Sequence, residues 1–580
     1  LFLRVVMQVK LAGHWVVECL IEQGATHAFG VPGESYLAVL DGLHLHAEAI
    51  QFVTCRQEGG AAFMAEAHGK LTGRPGVCMV TRGPGATNAS IGLHTAFQDS
   101  TPLLLLVGDV AADCRDREAF QEVDFTQLFG PMAKLVQRID DPLRIPEYVQ
   151  RAYATAMSGR PGPVVLVLPE DMLTQVIPAH LYGVPAQLGC TQPVPMGLSP
   201  RVVLDIEHAL QAAKRPLVVL GGGGWTPQAA RDVQTWVEHW QLPVCNAFRF
   251  QDCFDNSHAL YAGDMGLAIN PQLSKRIQEA DYLFVLGPRL GESTTDGYTL
   301  VTSPVSKQYL VHIHASAHEL NRVFKAHVSG CADMPSAAAA LAASCQGESP
   351  QVAWVQSNWT HQANADYQVH TDVANGGMAM PGTIDMPAII HTLVKHLPTD
   401  AVLTNGAGNF ASWLHRFYPY VGLARGLKTQ LAPTNGAMGY GIPAGVGAAI
   451  SSGRTVFTIA GDGDFLMNGQ ELATAVQHGA KTIVLLLNNS MYGTIRMHQE
   501  RHYPARLSGS TLANPDFCAL AKAYGYGAQR ITHTHEFEAA LQVALASASG
   551  YLIEVALDPE VITTKATLSA IRQFALDALG

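Results

Sequence analysis

No Cys-x-x-Cys pair occurs in the 580-residue chain, although ten cysteines are scattered from Cys19 to Cys518. No Cys/His cluster stands at metal-ligand spacing either. The cysteines therefore read as small core residues in a reducing compartment, which argues against a disulfide frame or a zinc site. There is no basic block, and the formal net charge is −11, which argues against a nucleic-acid groove or a polybasic membrane patch. No uninterrupted apolar stretch approaches the ~18 residues of a spanning helix. Leu1–Met7 is apolar but too short for a signal-peptide core, and no small-residue cleavage site follows it. Met7 is a candidate start. Glycine is plentiful, at 54 residues, but has no collagen-like period. Together these absences predict a soluble, cytoplasmic protein.

The residues that are present suit large buried cores: 48% are hydrophobic and only 15% charged. Short apolar runs recur, each followed by a helix-like segment: Val77–Val80, Leu103–Val107, Val164–Leu168, Leu217–Leu220, Tyr282–Leu286, Val456–Ile459 and Ile483–Leu487. Runs this short with little alternation predict strands buried on both faces, as in parallel sheets covered by helices. Two stretches read as linkers: a proline-punctuated segment after Pro169, and a polar one from about Gln346 to Pro381. They divide the chain into blocks at 7–175, 196–345 and 380–560, each the size of one doubly wound α/β domain.

The sharpest motif follows the predicted strand Val456–Ala460. It reads Gly461-Asp462-Gly463-Asp464, then a helical stretch over Gln470–His478, a second strand, and Asn488-Asn489. Both turns then lie at the carboxyl ends of adjacent strands, where open α/β sheets bind ligands. Mg²⁺ is the hard cation that neutralises a diphosphate, and it takes one or two carboxylates plus phosphate oxygens. Asp462, the Asn489 side chain and the Met491 carbonyl supply such oxygens, while Gly461 and Gly463 allow close backbone approach. A helix starting after Gly463 would add its positive end. A lone Gly-Asp-Gly is ordinary turn chemistry. With Asn489 lying 27 residues beyond Asp462, the pattern resembles the thiamine diphosphate signature. Asp464, Tyr492 and Gly493 complete this cofactor-facing set.

That cofactor needs a carboxylic acid beside its aminopyrimidine ring, with its pKa pushed upward in an apolar pocket. Glu58, between the predicted strand Ile50–Thr54 and a small-residue helix, is the candidate. The bland alternative is a first-turn Glu favouring the helix dipole. The surrounding motifs decide between the two. Phe29-Gly-Val-Pro-Gly33, Arg56-x-Glu58-Gly-x-Ala-Ala62, Gly83-Pro-Gly-Ala-Thr-Asn88, Asp99-Ser-Thr-Pro102, Ala119-Phe-Gln-Glu-Val-Asp124, Gly159-Arg-Pro-Gly-Pro163, Met438-Gly-Tyr-Gly-x-Pro443 and Met467-Asn-Gly-Gln-Glu-Leu-Ala-Thr474 occur in this order. The ordered set resembles the acetohydroxyacid synthase family over nearly the whole chain.

The resemblance implies three consecutive doubly wound domains: pyrimidine-binding, central and diphosphate-binding. It implies Glu58 as ring-activating acid, Gln121 near the reacting carbonyl and Phe120 packing on substrate. It further implies Met438 as the wedge that bends the cofactor, and the Gly436 carbonyl accepting from the aminopyrimidine. Gly408 and Asn409 would hold the diphosphate, and Pro32, Gly33 and Asn88 would face the cofactor. It also implies a homodimer with shared active sites, Glu58 of one subunit facing Asp462 of another, assembled into a homotetramer. The expected reaction is decarboxylation of a 2-oxo acid such as pyruvate, followed by ligation to a second carbonyl.

Some residues depart from the family pattern. Pro32-Gly33-Glu34-Ser35 replaces Pro-Gly-Gly, and Glu34 reads as a surface residue. His498 stands where the family places a Trp that selects the larger second keto acid; it reads as a satisfied structural residue. Arg289 resembles the Arg that receives the acceptor's carboxylate, but Gly291-Glu292-Ser293 does not follow the family. Gly263-Asp-Met-Gly266 is a poor copy of the flavin-binding stretch, so FAD is not expected. The glycine run Gly221–Gly224 is weak evidence of a nucleotide loop. The alternative activity is a decarboxylase or 2-hydroxy ketone lyase without carboligation, and the remotest is an inactive cofactor-binding homologue.

Overall fold

Strands that must be covered on both faces need helices on both sides, and the computed structural model is built this way three times over. It describes residues 9–374 and 381–578. The candidate start at Met7 and the block limits at 7 and 380 lie outside those residues. The chain divides into two compact units between Val194 and Pro195.

In the first unit, β1 (His27–Gly30), β2 (Gln51–Thr54), β3 (Gly76–Thr81), β4 (Leu103–Asp109), β5 (Leu135–Arg138) and β6 (Pro163–Pro169) form one sheet, ordered β2-β1-β3-β4-β6-β5. Every pairing is parallel. One face of the sheet packs on the helices Ala12–Glu22 and Ile145–Met157, around the buried Trp15 and Tyr153. The other is covered by the helices Glu58–Thr72 and Arg82–Asp99, which approach so closely that a Cβ on Gly92 would lie 2.4 Å from that of Ala62.

The second unit carries two sheets. β7 (Pro216–Leu220), β8 (Val244–Asn246), β9 (Tyr261–Asp264), β10 (Tyr282–Leu286), β11 (Tyr309–His314) and β12 (Val328–Cys331) are ordered β12-β11-β10-β7-β8-β9. β13 (Val402–Asn405), β14 (Gln430–Leu431), β15 (Val456–Gly461), β16 (Thr482–Asn488), β17 (Gly527–Ile531) and β18 (Tyr551–Ala556) are ordered β14-β13-β15-β16-β18-β17. This last order repeats that of the first unit, and all pairings in both sheets are parallel. The expected α/β class, with three parallel sheets in sequence order, is what the chain forms. The seven apolar runs all lie within strands.

Two expectations need correction. The stretch from about Gln346 to Pro381 is not merely a linker: the helix Trp359–Thr371 packs within the second unit, where Trp354 and Tyr367 join the core and Trp359 donates its ring N–H to the Pro216 carbonyl. Its polar composition hid it, because only a few large residues per turn are needed to dock a surface helix. Of the cysteines, Cys19, Cys55, Cys78, Cys245 and Cys253 are buried, but Cys114, Cys190 and Cys331 are exposed. In the glycine run after β7, a Cβ on Gly222 would lie 2.1 Å from the Gly287 carbonyl oxygen.

Candidate active site

A doubly wound sheet opens a crevice where successive connections leave in opposite directions, at the carboxyl ends of its strands. In the third sheet that point lies between β13 and β15. The turn after β13 is Gly406-Ala407-Gly408-Asn409, and β15 ends in Gly461-Asp462. A cavity of about 240 Å³ sits there. Its wall holds Gly408, Asn409, Gly436, Met438, Gly461, Asp462, Gly463, Asp464, Asn489, Met491, Tyr492 and Gly493. The fold thus gathers four chain segments, and every candidate residue of the second unit except Arg289, onto one wall.

The helix begins at Asp462, earlier than expected, and runs to Asn468 with Gly461 as its N-cap. The Gly463 N–H is not left for a ligand, because it donates to Asp462 Oδ1 at 2.9 Å. Gly463 is small for another reason: a Cβ there would lie 2.5 Å from the Tyr492 ring. Asp462 Oδ2 accepts from the Asn514 amide at 2.7 Å, and the same amide donates to Asn488 Oδ1 at 2.9 Å. Burial pushes the Asp462 carboxyl up, against the Asn514 amide and backbone N–H groups of Gly463, Ser490 and Met491. The antiparallel bridge between Met491 and Thr511 is closed by the N–H groups of Tyr492 and Leu512, and neither bond uses the Met491 carbonyl.

A carboxylate, an amide oxygen and a main-chain carbonyl on one cavity wall form an all-oxygen donor set. That set fits Mg²⁺ and a diphosphate. Asp464 is fully buried; its Oδ1 accepts from the N–H groups of Gly439 at 2.8 Å and Ala407 at 3.2 Å, and its Oδ2 has no partner among the described residues. Burial pushes this carboxyl up to about 7, opposed by those N–H groups and by Arg249. Asp464 therefore ties together the two turns that present Gly408 and Met438.

The first unit repeats the geometry. Its switch point lies between β1 and β3, followed by Val31-Pro32-Gly33 and by the helix Arg82–Asp99. Glu58 is the first residue of the helix after β2, capped by the Gln57 side chain, which accepts the Gly60 N–H at 3.0 Å. Half-buried, it accepts from the Asn88 amide through Oε2 at 2.9 Å, while Oε1 faces Gly85. Asn88, expected to face the cofactor, thus holds the acid in place. Glu34 is largely exposed, as expected, and ion-pairs with Arg82 at 3.2 Å. Gln121 has a left-handed backbone (φ 66°), and its carbonyl accepts the Gly83 N–H. Phe120 is 72% exposed, so in the isolated chain it packs on little.

Arg289 follows the end of β10, half-buried, and lies outside the cavity walls at Asp462 and at His498. His498 is exposed; its ring stacks on His502 and faces a second, larger cavity. That position does not fit the expected satisfied structural residue. Asn514 escaped the sequence reading, because nothing in Leu512-Ala-Asn514-Pro links it to a motif 52 residues away.

Three domain models of thiamine pyrophosphate enzymes match the chain in order. These are the N-terminal TPP binding domain over residues 11–128, the central domain over 204–341 and the C-terminal TPP binding domain over 406–555. The chain belongs to the thiamine pyrophosphate enzyme family. Within that family it is similar to the acetolactate synthase isozyme 3 large subunit of Escherichia coli, 31% identical over 554 residues covering 93% of each chain. The isozyme 2 large subunit of the same organism is 30% identical, covering 94% of this chain and 95% of its own. The acetolactate synthase large subunit of Lactococcus lactis is 31% identical, covering 88% and 86%. The acetolactate synthase-like class expected from the motifs, and thiamine diphosphate as cofactor, therefore stand.

Proposed function

We propose that the protein decarboxylates a 2-oxo acid such as pyruvate and joins the remaining fragment to a second carbonyl, using thiamine diphosphate held by Mg²⁺. The observation that carries this reading is the convergence of Asp462, Asn489 and Met491 with Gly408, Gly436 and Met438 on one cavity. When bound, the cofactor supplies an electron sink for the carbon from which carboxylate leaves. Asp462, Asn489 and the Met491 carbonyl would hold the metal. Gly408 and Asn409 would face the diphosphate, the Gly436 carbonyl the aminopyrimidine, and Met438 would press against the ring system.

Glu58 Oε1 would exchange a proton with the pyrimidine ring, while Asn88 fixes the other oxygen. Gln121, Phe120 and Arg289 would meet the substrates, with Arg289 receiving the acceptor's carboxylate. The working form in this proposal is a cytoplasmic homodimer, paired into a tetramer, in which Glu58 and Asp462 of different subunits serve one site. Among the described residues, no helix is long and apolar enough to cross a membrane.

A second reading, a decarboxylase or 2-hydroxy ketone lyase without carboligation, draws on the absence of Arg289 from both cavity walls. Incubation with Mg²⁺, thiamine diphosphate and pyruvate, with acetolactate and acetaldehyde assayed separately, decides between them. Acetolactate is the expected product. Acetaldehyde alone would transfer the proposal to the second reading, and neither product would remove pyruvate as donor.

A further inference from the structure

Met438 has to keep its place on the cavity wall from a turn that is loose by composition. Gly436 and Gly439 flank it, and both have left-handed backbones, with φ of 69° and 75°. Glycine enters that region without strain and leaves it as readily. Met438 itself is only half-buried, so burial alone does not fix its side chain. Inside the turn, the Gly436 N–H donates to the Pro433 carbonyl at 3.3 Å and the Ala437 N–H to Asn435 Oδ1 at 3.2 Å. Neither bond ties the turn to another element.

Two side chains of the helix Asp462–Asn468 do so. Asp464 Oδ1 accepts the Gly439 N–H at 2.8 Å, and the Asn468 amide donates to the Gly439 carbonyl at 2.9 Å. The two residues stand four apart, so they leave the same face of the helix. Both are buried, where an unmade hydrogen bond is costly. The glycine lies flush against the helix: a Cβ on Gly439 would lie 2.6 Å from that of Met467 and 2.8 Å from Asn468 Nδ2. Asp464 Oδ1 also accepts the N–H of Ala407, the neighbour of Gly408, at 3.2 Å. The same helix starts at Asp462, the candidate metal ligand. One short helix thus sets the spacing between the metal end of the cavity and the Met438 end.

We propose that Asn468, together with Asp464, is a positioning residue: the pair brackets Gly439 and through it holds Met438 at a fixed distance from the Asp462 end of the cavity. The role of Met438 rests on the thiamine reading, whereas the bracket is a property of the chain alone.

Hydrogen exchange in the cofactor-free protein reads the bracket directly. Asn468→Leu removes the donor, and exchange across residues 433–441 should quicken by about tenfold, with the strands of the third sheet unaffected. Asn468→Asp keeps the shape but lacks the amide donor; it should act the same way, and it serves where the leucine lowers the denaturation midpoint. In protein loaded with Mg²⁺ and thiamine diphosphate, Asn468→Leu should keep cofactor affinity within about threefold, because the oxygen donors are untouched. Turnover should slow by about tenfold to a hundredfold in kcat, with KM little changed. In a Met438→Ala background the same substitution should cost little more, because both changes act on one side chain. Unchanged exchange at residues 433–441 in both variants overturns the bracket, and additive losses of kcat overturn its action through Met438. Wild-type protein that binds no thiamine diphosphate sinks the thiamine reading instead, and the exchange result still decides the bracket.

Discussion

Glu58 and Asp462 illustrate how much of a site's chemistry rests on one neighbour. The Asn88 amide fixes one oxygen of Glu58, leaving the other for the proton exchange we propose. Glu58→Gln keeps the shape and removes the acid, so cofactor affinity should persist while turnover falls by about 10²–10⁴-fold; unchanged kcat would exclude Glu58 from proton transfer. Asp462→Ala removes the one charged oxygen of the donor set and should abolish Mg²⁺-dependent cofactor binding. Tight binding that survives chelation would count against the metal assignment. Asn514→Leu leaves the ligands in place but frees Asp462 Oδ2 from its donor. Metal affinity should drop by about 10–100-fold, read by Mg²⁺ titration of cofactor binding. The motif residues were legible because the hard-cation chemistry proposed for them restricts residue types and spacing. Asn514 was not, because its role depends only on where the loop after β16 folds back.

At the scale of elements, the helices Glu58–Thr72 and Arg82–Asp99 carry Glu58 and Asn88 on a closely packed pair. Gly92→Val would force a side chain into Ala62, and overpacking of this kind costs about 1–3 kcal/mol. Chemical denaturation should show a lower midpoint, and an unchanged midpoint would mean the helices part at little cost. The apolar runs announced the strands, since a strand covered on both faces cannot alternate. Helix starts were less legible. The motif suggests a helix after Gly463, whereas it begins at Asp462, whose carboxyl occupies the Gly463 N–H. The helix Trp359–Thr371 was hidden because its apolar stripe is narrow, and only its fit against the middle sheet makes it a core element.

At the scale of the molecule, burial leaves histidines that cannot charge without cost. His68 lies on the covered helix Glu58–Thr72, and burial, with His27 nearby, lowers it to about 4. The unfolded chain, near 6.5, then binds the proton first. The stability this group contributes is fully present above about pH 6.5 and is lost as pH falls toward 4, by about 1.4 kcal/mol for each pH unit crossed between those values. His68→Leu should flatten that part of the stability–pH curve in cofactor-free protein, measured by denaturant titration at several pH values. An unaltered slope would remove His68 as the titrating group.

The sequence by itself determined the α/β class, the parallel strands, the thiamine signature and the residue types able to hold a metal. Each is a local requirement: a doubly covered strand must be continuously apolar, and a hard cation must be met by oxygen at the end of a strand. Tertiary structure alone decided which loops meet. It placed Asn514 on Asp462, joined the turns at Gly408 and Met438 through Asp464, and brought Arg249, Arg416 and Lys565 to one cavity. Those pairings depend on strand order and on how far each loop reaches beyond its sheet, and no short stretch of sequence encodes either.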